Sequence, residues 1–184
     1  RRSPDGCHQH LYPNLLMLFE DSYFTLKCPS TGEYRDRGSR FIGLAYPVKD
    51  EEEVKQILQT VKKDHPQANH HCYAFRLTPD PTVFRASDDR EPSGSAGKPI
   101  LGAITSKGLT DVLVIVVRYF GGTLLGVPGL INAYRSAAAH CLDQSELAEK
   151  FIEEAFILEF PYDLSNEVHQ LLRKHKASIT FQDY

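Results

Sequence analysis

The sharpest chemical signal in the chain is Val116-Val117-Arg118-Tyr119-Phe120-Gly121-Gly122-Thr123-Leu124-Leu125-Gly126, where an aliphatic run meets an arginine and then a glycine-rich turn. A strand that feeds such a turn and then a helix can aim several backbone N–H groups at an anion. Arg118 adds a planar fork that matches phosphate. Arg118, Tyr119, Phe120, Gly121, Gly122 and Gly126 are therefore candidate anion or nucleic-acid contacts, with Arg40 and Lys98 as further positive charges expected at the same end of the sheet. The segment contains no GxxxxGK[ST], and its glycines do not fit GxGxxG. The competing reading is a tight turn whose glycines only let helix and sheet pack.

A second polar stretch runs Ser87-Asp88-Asp89-Arg90-Glu91-Pro92-Ser93-Gly94-Ser95-Ala96-Gly97-Lys98. Adjacent acids can bind Mg²⁺ or serve as acid and base, though in loops they more often cap helices or face water. A hydrolase reading would centre on Asp88, Asp89, Glu91 and Ser93, with Gly94 shaping the loop. The Gly-x-Ser-x-Gly pattern fails around Ser95 because position 93 is Ser. His70-His71-Cys72 invites zinc, but neighbours on a strand point to opposite faces and no second ligand pair stands at useful spacing. No metal, cofactor or catalytic set is expected.

These segments need elements to hold them. Val112 to Val117 is an unbroken β-branched and aliphatic run, which predicts a central strand buried on both faces. Loops at its carboxyl end would surround a crevice. Residues 88–98 and 118–126 are therefore expected side by side as one cleft, with Glu91 pairing Arg118. Strands are predicted over 23–27, 40–48 and 72–77, with a short one near 82–86. The turn after the first strand falls at Pro29-Ser30-Thr31-Gly32. Asp50 caps a helix with Glu51, Glu52 and Glu53 in its first turn, Val54, Ile57, Leu58 and Val61 at helical spacing, and Lys62-Lys63 in its last. Pro99 starts a short helix, and Leu130 to Leu142 forms another. A boundary falls near 143–150. Beyond it, a strand over 155–160, a helix capped by Asp163 with Leu164, Val168, Leu171 and Leu172, and a strand over 177–181 make a β-α-β unit. Half a module exposes sheet edges, so its remainder is expected outside this sequence.

Composition sets the outer bounds. The 184 residues suit one full domain and something smaller, at ~150 residues per domain. Apolar residues at 41% and charged residues at 24% are globular values, which excludes disorder, collagen and coiled coil. A net charge of −3 excludes a polycationic nucleic-acid coat. No apolar run approaches the ~20 residues of a membrane span, and Leu15-Leu16-Met17-Leu18-Phe19 is too short for a signal peptide. Residues 1–16 read as an upstream segment, and the domain division sets 1–21 aside as a leader outside the fold. Cys7, Cys28, Cys72 and Cys141 form no CxxC pair. Cys72 and Cys141, in apolar contexts, read as buried thiols, and a cytoplasmic location follows.

Four blocks together resemble the IMPACT family, including its bacterial YigZ-type members. They are Ser39-Arg40-Phe41-Ile42 with Pro47-Val48, His71 to Leu77, Asp88 to Leu101, and Val117-Arg118-Tyr119-Phe120-Gly121-Gly122 through Gly126 to Ala133-Tyr134, covering roughly 22–145. Arg90 stands where the family commonly has Gly, and Leu125, Pro128 and Asn132 stand where Lys, Gly and Arg are frequent. The last three remove charge or flexibility from the glycine-rich turn. The resemblance implies an α+β protein: an N-terminal domain at 22–146 like the fold shared by a ribosomal-protein domain and elongation factor G domain IV, then part of a ferredoxin-like βαβ domain at 150–184. It also implies a link to translation, since eukaryotic relatives regulate it by competing for an activator of an initiation-factor kinase.

Three functions compete on this reading. The first is a non-enzymatic binding protein that contacts RNA or ribosome-associated factors through phosphate. The second is a protein-protein interaction module that touches no nucleic acid. The third is an unrecognised phosphate-handling hydrolase at the acidic loop.

Overall fold

The computed structural model describes residues 22–77, 83–152 and 156–183, so the leader expected over 1–21 lies outside the described residues. The chain divides into two units, one ending at Ile152 and one starting at Glu153.

Val112–Tyr119 (β6) is the centre of the first unit. Its neighbours are β3 (Ser39–Pro47) and β4 (His70–Arg76), with β2 (Ser30–Asp36) and β5 (Phe84–Ser87) at the edges. Each pairing in this five-stranded sheet is antiparallel. Antiparallel sheets commonly leave one face in water, yet every aliphatic side chain of β6 is 0% exposed. Helices on both faces are the reason. Val112, Val114 and Val116 pack with Ile100 and Ile104 of α2 (Gly97–Ser106) and with Tyr134 and Ala137 of α3 (Gly126–Asp143). Leu113, Ile115 and Val117 pack with Val54 and Val61 of α1 (Glu51–Asp64). Burial of side chains this size stabilises by roughly 1.5–3 kcal/mol each. Strands β3 and β4 both run antiparallel to β6, so β3-α1-β4 is a parallel unit split by the strand between them.

Local chemistry sets α1 as its sequence predicts. The Asp50 carboxylate accepts the Glu53 N–H at 2.8 Å, and the Glu53 carboxylate accepts the Lys49 N–H at 2.8 Å. Strand β2 is a correction. Thr31 and Gly32, read as a turn, lie within it. Gly32 stands opposite Gly43 of β3. A Cβ on Gly32 would lie 2.4 Å from the Cys141 backbone nitrogen, and one on Gly43 would lie 2.3 Å from the Ala137 carbonyl oxygen. The paired glycines form the bare patch over which α3 crosses. The actual turn is Arg37-Gly38, both left-handed at φ 45° and 81°, which suits a two-residue hairpin.

The 143–150 boundary region also differs from its reading. Leu147–Phe151 is a strand (β7) that pairs antiparallel with β1 (Ser22–Leu26) as a separate two-stranded ribbon. Its Glu149 and Lys150 hid it among residues that resemble a linker.

In the second unit, α4 (Ser165–Lys174) carries Val168, Leu171 and Leu172 as expected. Asp163 does not cap it. That residue lies in a single 3₁₀ turn, Tyr162–Leu164, and α4 has no side-chain cap. Residues 156–160 and 177–181, read as strands, form none. A strand needs a ladder partner, and in a ferredoxin-like module the two strands of such a βαβ are kept apart by a third. The described residues of this unit contain no strand to take that place. The architecture is α+β.

Candidate functional site

Strand β6 delivers Arg118 into the interior. Its side chain is 6% exposed, and its Nη1 donates to Glu91 Oε1 at 2.5 Å. The guanidinium carbon lies 5.4 Å from the centre of the buried Phe41 ring and 5.6 Å from that of Phe120, which is 45% exposed. Glu91 Oε1 also accepts the Tyr134 hydroxyl at 2.7 Å, and Tyr134 meets Phe41 edge to face at 5.2 Å. Burial first, then Cys72 and Glu91, pushes the Tyr134 hydroxyl far above its ordinary range, so it remains a donor. Burial likewise pushes the Cys72 thiol up to about 12, and its sulfur donates to the Asp88 carbonyl at 3.0 Å. That thiol is no nucleophile.

The two loops expected side by side do meet at Glu91 and Arg118, as a closed contact and not an open crevice. A concavity of about 490 Å³ lies elsewhere, lined by Thr31, Gly32, Glu33, His140 and Gln144. Arg118 is neutralised and out of water. An incoming phosphate would have to displace Glu91 to reach it.

The acids of the 88–98 loop are committed to holding it. Asp88 accepts the N–H groups of Gly94 at 2.8 Å, Ala96 at 3.0 Å and Gly97 at 2.8 Å, which starts α2 at Gly97 instead of Pro99. The anion place at that helix end is filled by the chain's own carboxylate. Burial raises the Asp88 pKa, but the Gly94, Gly97 and Ala96 N–H groups and the Lys98 charge outweigh it and hold the carboxyl below its usual value. A lowered folded pKa contributes stability that is present above the unfolded carboxylate value and lost as pH falls through the folded one. Asp88→Asn should therefore flatten the acid limb of stability. Urea midpoints measured from about pH 6 down to pH 2 test this, and superimposable limbs for the two proteins would remove Asp88 as the anchor.

Asp89 Oδ2 accepts the His71 N–H at 2.7 Å, and its carbonyl meets His70 Nδ1 at 2.9 Å. Ser93 is exposed, and Ser95 is buried with its hydroxyl donating to the Pro92 carbonyl. Among the described residues no three His, Cys, Asp or Glu side chains cluster as metal ligands would. Arg90 sits at φ 71° beside Asp89 at φ 38°. Left-handed backbone costs a side chain about 1–2 kcal/mol, and glycine returns about 0.5–1 of that through its freer unfolded chain. Arg90→Gly should raise stability by about 0.5 kcal/mol despite losing the Arg90 bond to the Asn69 carbonyl at 3.1 Å. A lowered denaturation midpoint would mean that this bond matters more than the backbone.

Asn69 is the residue sequence reasoning missed. It donates its N–H to the Arg118 carbonyl at 2.9 Å, accepts the Phe120 N–H on Oδ1 at 2.8 Å, and accepts Arg90 on its carbonyl. It ties both loops together, and no motif marks it. Of the remaining candidates, the Tyr119 hydroxyl meets His65 Nδ1 at 2.8 Å. Gly121 donates to Ser39 Oγ at 3.1 Å. Gly122 and Gly126 take left-handed φ values of 85° and 70°. Arg40 is exposed but gripped by Glu33 at 2.6 and 2.8 Å, and Lys98 is exposed in the first turn of α2. The turn itself leaves Phe120, Leu124 at 81% and Val127 at 46% in the open. It leads into an α3 N-terminus with neither a side-chain cap nor an acid in its first turn.

Comparison with known proteins gives a consistent answer. Residues 37–142 match the family model described as the Impact N-terminal domain. An "IMPACT family member in pol 5'region" from Thermus thermophilus is 44% identical, over 73% of this chain and 72% of that one. YigZ, an IMPACT family member of Escherichia coli, is 32% identical over 89% of this chain and 81% of that one. A crystal structure described only as that of a hypothetical protein superimposes at a TM-score of 0.70 with 30% identity, covering 89% of this chain and 81% of that one.

Proposed function

This chain belongs to the IMPACT family, and from that footing we propose that it is a non-catalytic binding protein of translation control that contacts RNA or an RNA-bearing surface through the turn at 119–127. One observation carries the reading. The groups that a phosphate-handling enzyme would need are already engaged, Glu91 with Arg118 and Asp88 and Asp89 with backbone N–H groups, while the turn beside them presents an exposed aromatic ring and an uncapped helix N-terminus. Aromatic faces and positive helix ends are what a nucleic-acid chain uses when sequence is not read. Phosphate contact then shifts from Arg118 to the turn's backbone and to Lys98, with Arg40 available once it leaves Glu33. The link to translation rests on the family resemblance, and a fold like that of elongation factor G domain IV would add an analogy of fold alone. The proposal places the protein in the cytoplasm. Among the described residues no helix is long and apolar enough to cross a membrane.

Filter binding of transfer and ribosomal RNA across a salt series tests it. Affinity should fall steadily as salt rises, because contacts to phosphate release counterions. No retention at the lowest salt would end the RNA reading. A second reading, a protein partner, is favoured by Leu124 and Val127, whose bare aliphatic surface suits protein more than RNA. Co-sedimentation with ribosomes that survives nuclease treatment would select it.

A further inference from the structure

We propose that Phe120 is a stacking platform for an unpaired nucleobase, so that the site takes single-stranded rather than duplex RNA. This rests on the RNA reading above and names its ligand more narrowly.

The inner side of the ring is already occupied. The Arg118 guanidinium lies over Phe120 at 5.6 Å and over Phe41 at 5.4 Å, and Phe41 is fully buried. Arg118 is in turn fixed by Glu91 at 2.5 Å. The column of Phe41, Arg118 and Phe120 starts in the core and ends at the surface, where Phe120 keeps 45% of its exposure. A cation on one face draws π density inward and leaves the outer face poorer in electrons. A second cation, such as a lysine or arginine of a protein partner, gains less on that outer face, and an electron-rich base gains more.

The platform is also held in place before anything binds. The Phe120 N–H is bonded to Asn69 Oδ1 at 2.8 Å, and the next residue, Gly121, is pressed against the Gly38-Ser39 turn. A preformed ring forfeits little entropy on binding. Beside it, a Cβ on Gly122 would meet nothing within 4 Å, which leaves room for the sugar and phosphate of the stacked nucleotide. Bases in a duplex are already stacked on their neighbours and cannot cover the ring.

A short oligoadenylate carrying one 2-aminopurine, used alone and annealed to its complement, tests the idea with the full chain. Binding of the single strand should quench the 2-aminopurine, and the duplex should bind at least about ten-fold more weakly. Phe120→Leu, which keeps bulk without a π face, should weaken single-strand binding about ten-fold, and Phe120→Tyr should keep it. Circular dichroism confirms that each variant is folded. Equal affinity for strand and duplex, or wild-type binding by Phe120→Leu, would overturn the stacking and leave the RNA reading standing. No binding of either form at low salt would remove the RNA reading and the platform with it.

Discussion

Gly121→Ala should be among the most destabilising single-methyl changes in the molecule, costing about 3 kcal/mol, the upper end of the usual overpacking range. A Cβ on Gly121 would lie 1.9 Å from the Gly38 carbonyl carbon, 2.2 Å from its oxygen and 2.2 Å from the Ser39 nitrogen. All three are backbone atoms, so no side chain can swing aside. The hairpin between β2 and β3 would have to part from the end of β6. The bond from the Gly121 N–H to Ser39 Oγ would go with it, and Ser39 is fully buried. The neighbouring Gly122 provides the control. Its Cβ would enter open space, and only its φ of 85° resists a side chain. Gly122→Ala should therefore cost only about 0.5–1 kcal/mol, the penalty of left-handed backbone less what alanine's stiffer unfolded chain returns. Urea unfolding of both variants measures the difference. Equal midpoints for the two would mean that the close approach of Gly38 to Gly121 is not what holds these turns together.

That pair of adjacent glycines shows what a sequence can and cannot say. Gly121-Gly122 reads as a turn in either case, but the reason for the first lies some eighty residues away, at Gly38. Gly32 is the same lesson inverted. Three residues after Pro29 it looks like a breaker, yet it sits within a strand because α3 crosses there. Local signals were legible wherever the cause was local. Asp50 and Glu53 set the start of α1 between themselves, and the run Val112 to Val117 announced two covered faces without saying which helices cover them. The pairing of Glu91 with Arg118 could be anticipated from the order of strand and loop. The burial of Arg118 could not, since it depends on Phe41 and Tyr134 arriving from β3 and α3. Asn69 left no trace in the sequence because its three bonds exist only once β4, β6 and the acidic loop have assembled.

Breaking the Glu91–Arg118 pair should release the 88–98 loop and cost about 3–5 kcal/mol, because it strands a buried guanidinium. Glu91 Oε1 takes both the Arg118 and the Tyr134 donors, at 2.5 and 2.7 Å. Glu91→Gln keeps the shape and one acceptor oxygen but removes the charge that compensates Arg118. Val112 to Val117 of β6 are held instead by the apolar side chains of α1, α2 and α3. The loop should therefore loosen before the sheet does. Limited proteolysis should cut within residues 88–98 several-fold faster in Glu91→Gln than in wild type, with hydrogen exchange in β6 changed little at low denaturant. Removing both charges should cost less than removing one, since well-packed apolar groups can replace a buried ion pair. Glu91→Leu combined with Arg118→Met should recover much of the stability lost in Glu91→Leu alone. The same double variant also separates structure from binding. If it folds, and Phe120 has lost the cation behind its ring, any RNA affinity that depends on the column should fall while the fold persists. A double variant no more stable than Glu91→Leu would show that the charge pair is not the element joining the two loops.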